Sequence, residues 1–98
     1  MLECCAILLD MKTPKQLERH FKGVANHWRI AILFLVGNNE GMKLEQITDA
    51  LNANFKTISQ HTKTLVHSGL LNKTYQGRQV AHALSPHGKL FLKFIKTF

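Results

Sequence analysis

From Ala50 to Phe98 the chain contains neither aspartate nor glutamate. No acid in that half can orient a histidine, so hydrolase chemistry of the serine–histidine–acid kind is disfavoured and a non-enzyme is expected. Cysteine is confined to Cys4 and Cys5, an adjacent pair whose disulfide would be strained, and reduced thiols are the expectation. Those thiols with His20 or His27 would supply soft metal ligands. Neighbouring cysteines rarely both chelate one ion well, however, and no His-x3-His pair occurs, so no metal site is assigned. A glycine-rich phosphate loop is also missing, and no cofactor is called for. Long apolar runs are absent: Cys4 to Leu9 is far too short to cross a bilayer, and Met1-Leu2-Glu3 is not a basic leader. A cytoplasmic protein without membrane association is expected.

What remains is basic and organised. The first half balances six acids against six bases, so the net charge of +7 belongs to the second half, on Lys56, Lys63, Lys73, Arg78, Lys89, Lys93 and Lys96. A one-sided basic surface suits a polyanion. With 45% apolar and 19% charged residues, the chain reads as a globular domain rather than a disordered tail. No Pro- or Ser-rich linker divides residues 1–98, which are taken as a single domain with an N-terminal extension over 1–12.

Thr13-Pro14-Lys15-Gln16 combines a capping residue, a first-turn proline and a Gln three residues after the cap, and so predicts a helix carrying Leu17, Phe21 and Val24 on one stripe. A second start at Asn26 precedes Trp28, Ile30, Ala31, Ile32, Leu33, Phe34, Leu35 and Val36, dense enough to require cover on most sides. Gly37 to Gly41 is expected to break it. A helix-turn-helix follows over 44–69: Leu44, Ile47, Ala50 and Leu51 form one amphipathic face, Asn52-Ala53-Asn54 breaks and recaps, and Ile58, Thr62 and Leu65 give the second helix a thin buried stripe. The period then changes to that of a hairpin over 72–84, turning at Gln76-Gly77-Arg78. Ser85-Pro86 starts a C-terminal helix over 86–98. The fold class is mainly α with a small β-hairpin: a winged helix-turn-helix, with helical dimerisation elements at both termini.

From about Val24 to Leu84 these residues resemble, without gaps, the ArsR-type (arsenic-repressor-like) transcription regulators. Ala25 to Leu33 sits where that family has a helix carrying an Arg before an apolar run. Lys43 to Leu51 is similar to its first motif helix. Thr57-Ile58-Ser59-Gln60-His61-Thr62-Lys63-Thr64-Leu65 is similar to its recognition helix, including the Ser-x-His-x-Lys core, and Gly77-Arg78 matches the wing tip. The resemblance implies a sequence-specific DNA-binding transcription regulator, a homodimeric repressor. Three departures stand out. Thr62 replaces a usual leucine, and His82 stands where tyrosine is common. Glu45 to Asp49 lacks the cysteines of the metal-sensing members, and His87 lacks the acid partners of their alternative ligand set.

The expected partner is double-stranded DNA with a palindromic site. Lys56, Thr57, Ser59, Gln60 and Lys63 would face the major groove, with Gln60 reading adenine and Thr57, Ser59, His61 and Lys63 setting register on phosphates. His61 reads equally as a half-buried packing group. Ser59 and His61 lie two positions apart on a helix, pointing away from each other, and are no catalytic pair. Arg78 would enter a minor groove or meet its phosphates, with Lys73 and Tyr75 following the backbone. Leu17, Phe21, Leu90, Phe91, Phe94, Ile95 and Phe98 exceed what one small core needs and are assigned to a dimer interface. The alternative is a winged-helix module that binds a protein partner or RNA.

Overall fold

The computed structural model describes residues 13–98; the expected extension over 1–12, with Cys4 and Cys5, lies outside the described residues. Five helices and three strands follow in the order α1 (Pro14–Val24), α2 (His27–Asn38), β1 (Met42–Lys43), α3 (Leu44–Leu51), α4 (Phe55–His67), β2 (Leu71–Gln76), β3 (Gln79–Leu84) and α5 (Pro86–Ile95). Each helix start signalled by a capping residue is made by that residue. The Thr13 hydroxyl accepts from the Gln16 amide at 3.2 Å while the Gln16 side chain accepts from the Thr13 amide at 2.9 Å. Asn26 caps α2 through the Trp28 amide. Asn54 caps α4 through Lys56 and Thr57, and Ser85 caps α5 through Gly88. These contacts satisfy donors that the first turn of a helix leaves open.

The core is built around α2. Ile32, Leu33 and Val36 are fully buried there, against Ile47 of α3, Ile58 and Leu65 of α4, and Leu70 and Leu71 at the start of the wing. Each such side chain contributes about 1.5–3 kcal/mol on leaving water. Trp28, Ile30, Phe34 and Leu35 are half-buried and pack onto this cluster, which is the cover that so apolar a helix requires. Between α3 and α4, Asn52 adopts the left-handed conformation at φ 49°, a role short polar Asn fills more readily than most residues.

The structure differs from expectation in three places. The wing is a three-stranded antiparallel sheet, ordered β1-β3-β2, rather than a hairpin alone. Met42 and Lys43 pair with His82 and Ala81, and two residues are too few to show a strand period in sequence. The α2 helix passes through Gly37 and ends at Asn38. A β-carbon at Gly37 would collide with Leu92 of α5, so this glycine serves helix packing rather than a break. The last helix ends at Ile95, after which Thr97 and Phe98 turn back to the carbonyls of Phe94 and Ile95.

Two of the departures, Thr62 and His82, have physical consequences. Thr62 occupies the buried stripe of α4 at 3% exposure, and its hydroxyl has no hydrogen-bond partner. His82 is also buried, with Nδ1 at 3.1 Å from the Met42 carbonyl, while its own carbonyl accepts from the Gly41 amide. His82 thus fastens β1 to the sheet from both side chain and backbone.

Two measurements check this. Thr62→Val keeps the shape and removes an unsatisfied polar group, and should raise unfolding stability by about 1 kcal/mol in a urea titration. Burial holds the His82 pKa below 6.5, against the opposing hydrogen bond to Met42 and with a smaller push from Lys73. The unfolded chain therefore binds the extra proton first, so stability should be level above about pH 6.5 and fall as pH drops from there through the lower folded value. His82→Tyr should reduce that acid-side slope.

Candidate nucleic-acid interface

The α4 helix buries Ile58, Thr62 and Leu65, and three to four residues per turn carry Lys56, Gln60 and Lys63 to the opposite side, where all three are exposed. Thr57 is exposed on one flank of that face and Ser59 is half-buried on the other. The start of a helix leaves four amide donors open, and in α4 the Asn54 side chain already takes those of Lys56 and Thr57. Recognition by this helix would therefore fall to side chains.

The wing lies on the Ser59 flank. Its two-residue loop is Gly77-Arg78, between the paired Gln76 and Gln79, and Gly77 sits at φ 66°, which glycine adopts without penalty. Lys73 and Tyr75 are two residues apart on β2 and so share a face of the sheet; their partners across the ladder are His82 and Val80. Tyr75 and Arg78 are exposed toward the tip.

Between α4 and the wing runs a cleft of about 360 Å³. Lys43, Lys63, Lys73 and Arg78 supply four cations to it, against the single carboxylate of Glu45. None of the four is paired with an acid: among the described residues the one ion pair is Glu18–Lys22, at 2.8 Å on exposed α1. Four bases with one acid between them create a positive potential on this side of the domain. The structure thus brings Ser59, Lys63, Lys73 and Arg78 to one cleft, leaves Lys56, Thr57 and Gln60 on the open face of α4, and sets Tyr75 beyond the cleft on the wing.

His61 is placed differently. It turns toward α2, half-buried, and its Nδ1 accepts from Arg29 Nε at 3.2 Å. Arg29 also donates through Nη1 to the Lys22 carbonyl at 3.0 Å, so one guanidinium ties together the end of α1, the start of α2 and the middle of α4. Burial first, then the neighbouring Arg29 and His27, lower the His61 pKa. A neutral ring is what the acceptor role requires. Arg29 is absent from the site read in the sequence, although the resemblance had put an Arg at that helix. Lys43 and the exposed Phe55 were missed as well: Lys43 lies on the unrecognised β1, and an aromatic at a helix start gives no periodic signal.

The apolar residues assigned to a dimer interface divide into two groups. Phe91 and Ile95 are half-buried and pack onto the core. Leu17 and Phe21 on α1, with Leu90, Phe94 and Phe98 at the C-terminal end, are exposed, Leu90 at 65% and Phe98 at 92%. Phe21 stands edge-on to Phe91 at 5.1 Å, and His20 stacks on His87 at 5.0 Å. Helices from the two ends of the chain are thereby joined side by side.

Among the described residues no helix is long and apolar enough to cross a membrane, and no group of three or more histidine, cysteine or acidic side chains is arranged to hold a metal ion. Residues 26–88 match the family model of the winged helix DNA-binding domain. Several solved structures are similar. The homodimeric winged helix-turn-helix DNA-binding domain of Mb0332 from Mycobacterium bovis, a possible ArsR-family transcriptional regulator, is 26% identical, with 94% of this chain and 81% of that one covered and a TM-score of 0.76. The transcriptional regulator HlyU of Vibrio vulnificus is 20% identical over 97% of this chain and 96% of its own, with a TM-score of 0.76. The transcriptional repressor PagR of Bacillus anthracis is 20% identical over 83% and 93%, with a TM-score of 0.75. At those two identities the likeness is one of fold. No curated protein matches the sequence. With the matched segment covering more than half of its length, from the cap of α2 to the first turn of α5, the chain belongs to the winged helix DNA-binding domain family.

Proposed function

We propose that this protein is a homodimeric transcription repressor that binds a palindromic site on double-stranded DNA and lacks the usual metal-sensing ligands. The observation that carries the reading is the unpaired basic face shared by α4 and the wing, in a family of DNA-binding domains. Exposed Gln60, at the centre of the open face of α4, has the paired donor and acceptor that match adenine in the major groove. Lys56 and Lys63 flank it and contact phosphates or guanine acceptors, with Thr57 and Ser59 fixing register. Arg78 reaches the neighbouring minor groove from the wing tip, and Lys73 and Tyr75 follow the backbone. His61 acts from behind, through Arg29, by holding α4 in place.

Repression follows from the ArsR-type resemblance of the motif residues, and dimerisation is supported by likeness to the homodimeric Mb0332 domain. The physical case for a dimer is the exposed apolar surface of Leu17 and Phe21 on α1, Leu90 and Phe94 on α5, and Phe98 just past it, with the two helices held together by the Phe21–Phe91 contact. Burying it between two copies removes apolar surface from water and sets two α4 helices about one DNA turn apart. The single domain extends over 1–98, with the helix-turn-helix over 44–69 and the wing over 72–84 as its reading parts.

A salt titration of duplex binding tests the DNA reading. A dimer engaging about eight phosphates should lose affinity with a log–log slope near about −7. A shallow slope with no preference among duplexes would contradict it. In the same assay Gln60→Ala should change the preferred site more than the overall affinity. Uniform weakening on all sites would remove Gln60 as a base reader. Sedimentation equilibrium should give twice the chain mass, and Phe94→Lys should shift the protein toward monomer while its helix content stays unchanged.

A further inference from the structure

The cleft between α4 and the wing is more than a row of cations. Its lining combines exposed Lys63, Lys73 and Arg78 with exposed Phe55 and half-buried Val66 and Val80. A phosphate bound there would satisfy the bases but leave the apolar side chains wet. The Thr62 hydroxyl, without a partner in the protein, belongs to a residue lining the same cleft. At about 360 Å³ the space falls in the range of small-molecule sites, which join an apolar lining to a few polar anchors. An aromatic and two branched aliphatic side chains ringed by unpaired bases match one ligand chemistry: an apolar body bearing a carboxylate.

We propose that this cleft is a receptor site for a small amphiphilic organic anion, and that its occupation excludes DNA. The ring system or alkyl body lies against Phe55, Val66 and Val80, and the carboxylate pairs with Lys63, Lys73 and Arg78. Glu45 is the one lining carboxylate, and the four bases outweigh its repulsion of an anion. The exclusion rests on the reading of Lys63, Lys73 and Arg78 as DNA contacts: an occupant neutralises those bases and fills the gap between the two elements that would straddle the backbone. Ligand and duplex then compete for the same protein, and each weakens the other by the same factor.

The test uses the full chain, without DNA at first. Titration with 2-naphthoate, followed by backbone amide resonances, should give saturable shifts centred on Ser59, Lys63, Val66, Lys73 and Val80. The neutral 2-naphthamide, which keeps the body, and inorganic phosphate, which keeps the charge, should each bind at least about tenfold more weakly. Val66→Phe, which fills the cleft, should lose the naphthoate shifts while the spectrum remains that of a folded protein. Phosphate binding as strong as naphthoate, or shifts centred elsewhere, would overturn the site. In the second arm, saturating naphthoate should lower duplex affinity by at least about tenfold, and a ternary complex with both bound at full affinity would overturn exclusion. If the protein binds no duplex at all, the DNA reading fails while the first titration still decides the site.

Discussion

The helix that carries the proposed reading surface is held by very little. Along α4 only Ile58, Thr62 and Leu65 are buried, and everything displayed on its other sides depends on that stripe staying seated against α2 and α3. The rest of the domain is arranged to keep it there. The long apolar α2 provides the floor, with Ile32, Leu33 and Val36 entirely out of water. Leu70 and Leu71 fold back just past the end of α4, where Gly69 takes a positive φ of 80° that most side chains resist. Arg29 then adds a polar brace from the other side through His61 and the Lys22 carbonyl. A thin hydrophobic stripe leaves the largest possible area free for a partner, and the external braces offset what the stripe lacks.

The same economy accounts for the two unusual motif residues. A leucine at position 62 would fill the stripe with apolar surface; Thr62 instead buries a hydroxyl without a partner, a local cost that lies beside the cleft. At position 82 the histidine replaces an aromatic body with a ring that bonds the Met42 carbonyl, so a two-residue strand becomes part of the sheet. Each substitution trades core hydrophobicity for a polar group at the junction of α4 and the wing. That junction is also where Lys43, Lys63, Lys73 and Arg78 converge with no acid paired to any of them. Like charges held together in one fold repel, and the repulsion is relieved when an anion arrives.

Helix starts were the most legible feature of the sequence, because capping is local: Thr13, Asn26, Asn54 and Ser85 each bond to amides within three residues. The helix-turn-helix, the position of the hairpin turn and the residues of the core followed from periodicities that a single element displays by itself. Less legible were features with partners distant in sequence. Gly37 looked like a break because glycine disfavours helices, yet the Leu92 side chain of α5 decides its role. β1 exists only because β3 pairs with it, and the bond from Arg29 to His61 spans 32 residues.

For the candidate site the division is similar. The sequence alone determined that the bases of the second half would go unpaired by neighbouring acids, since no carboxylate follows Asp49, and that Lys56, Gln60 and Lys63 would oppose the buried stripe of α4, since helix pitch fixes that. Tertiary structure alone decided which bases meet: Lys43 from β1, Lys63 from α4, and Lys73 and Arg78 from the wing reach one cleft lined also by Phe55, Val66 and Val80. It also turned His61 toward Arg29 and joined α1 to α5 through Phe21 and Phe91. The physical reason is one of range: pitch, capping and charge inventory act within a few residues, whereas a cleft is the space left between elements whose spacing is set by the packing of a shared core.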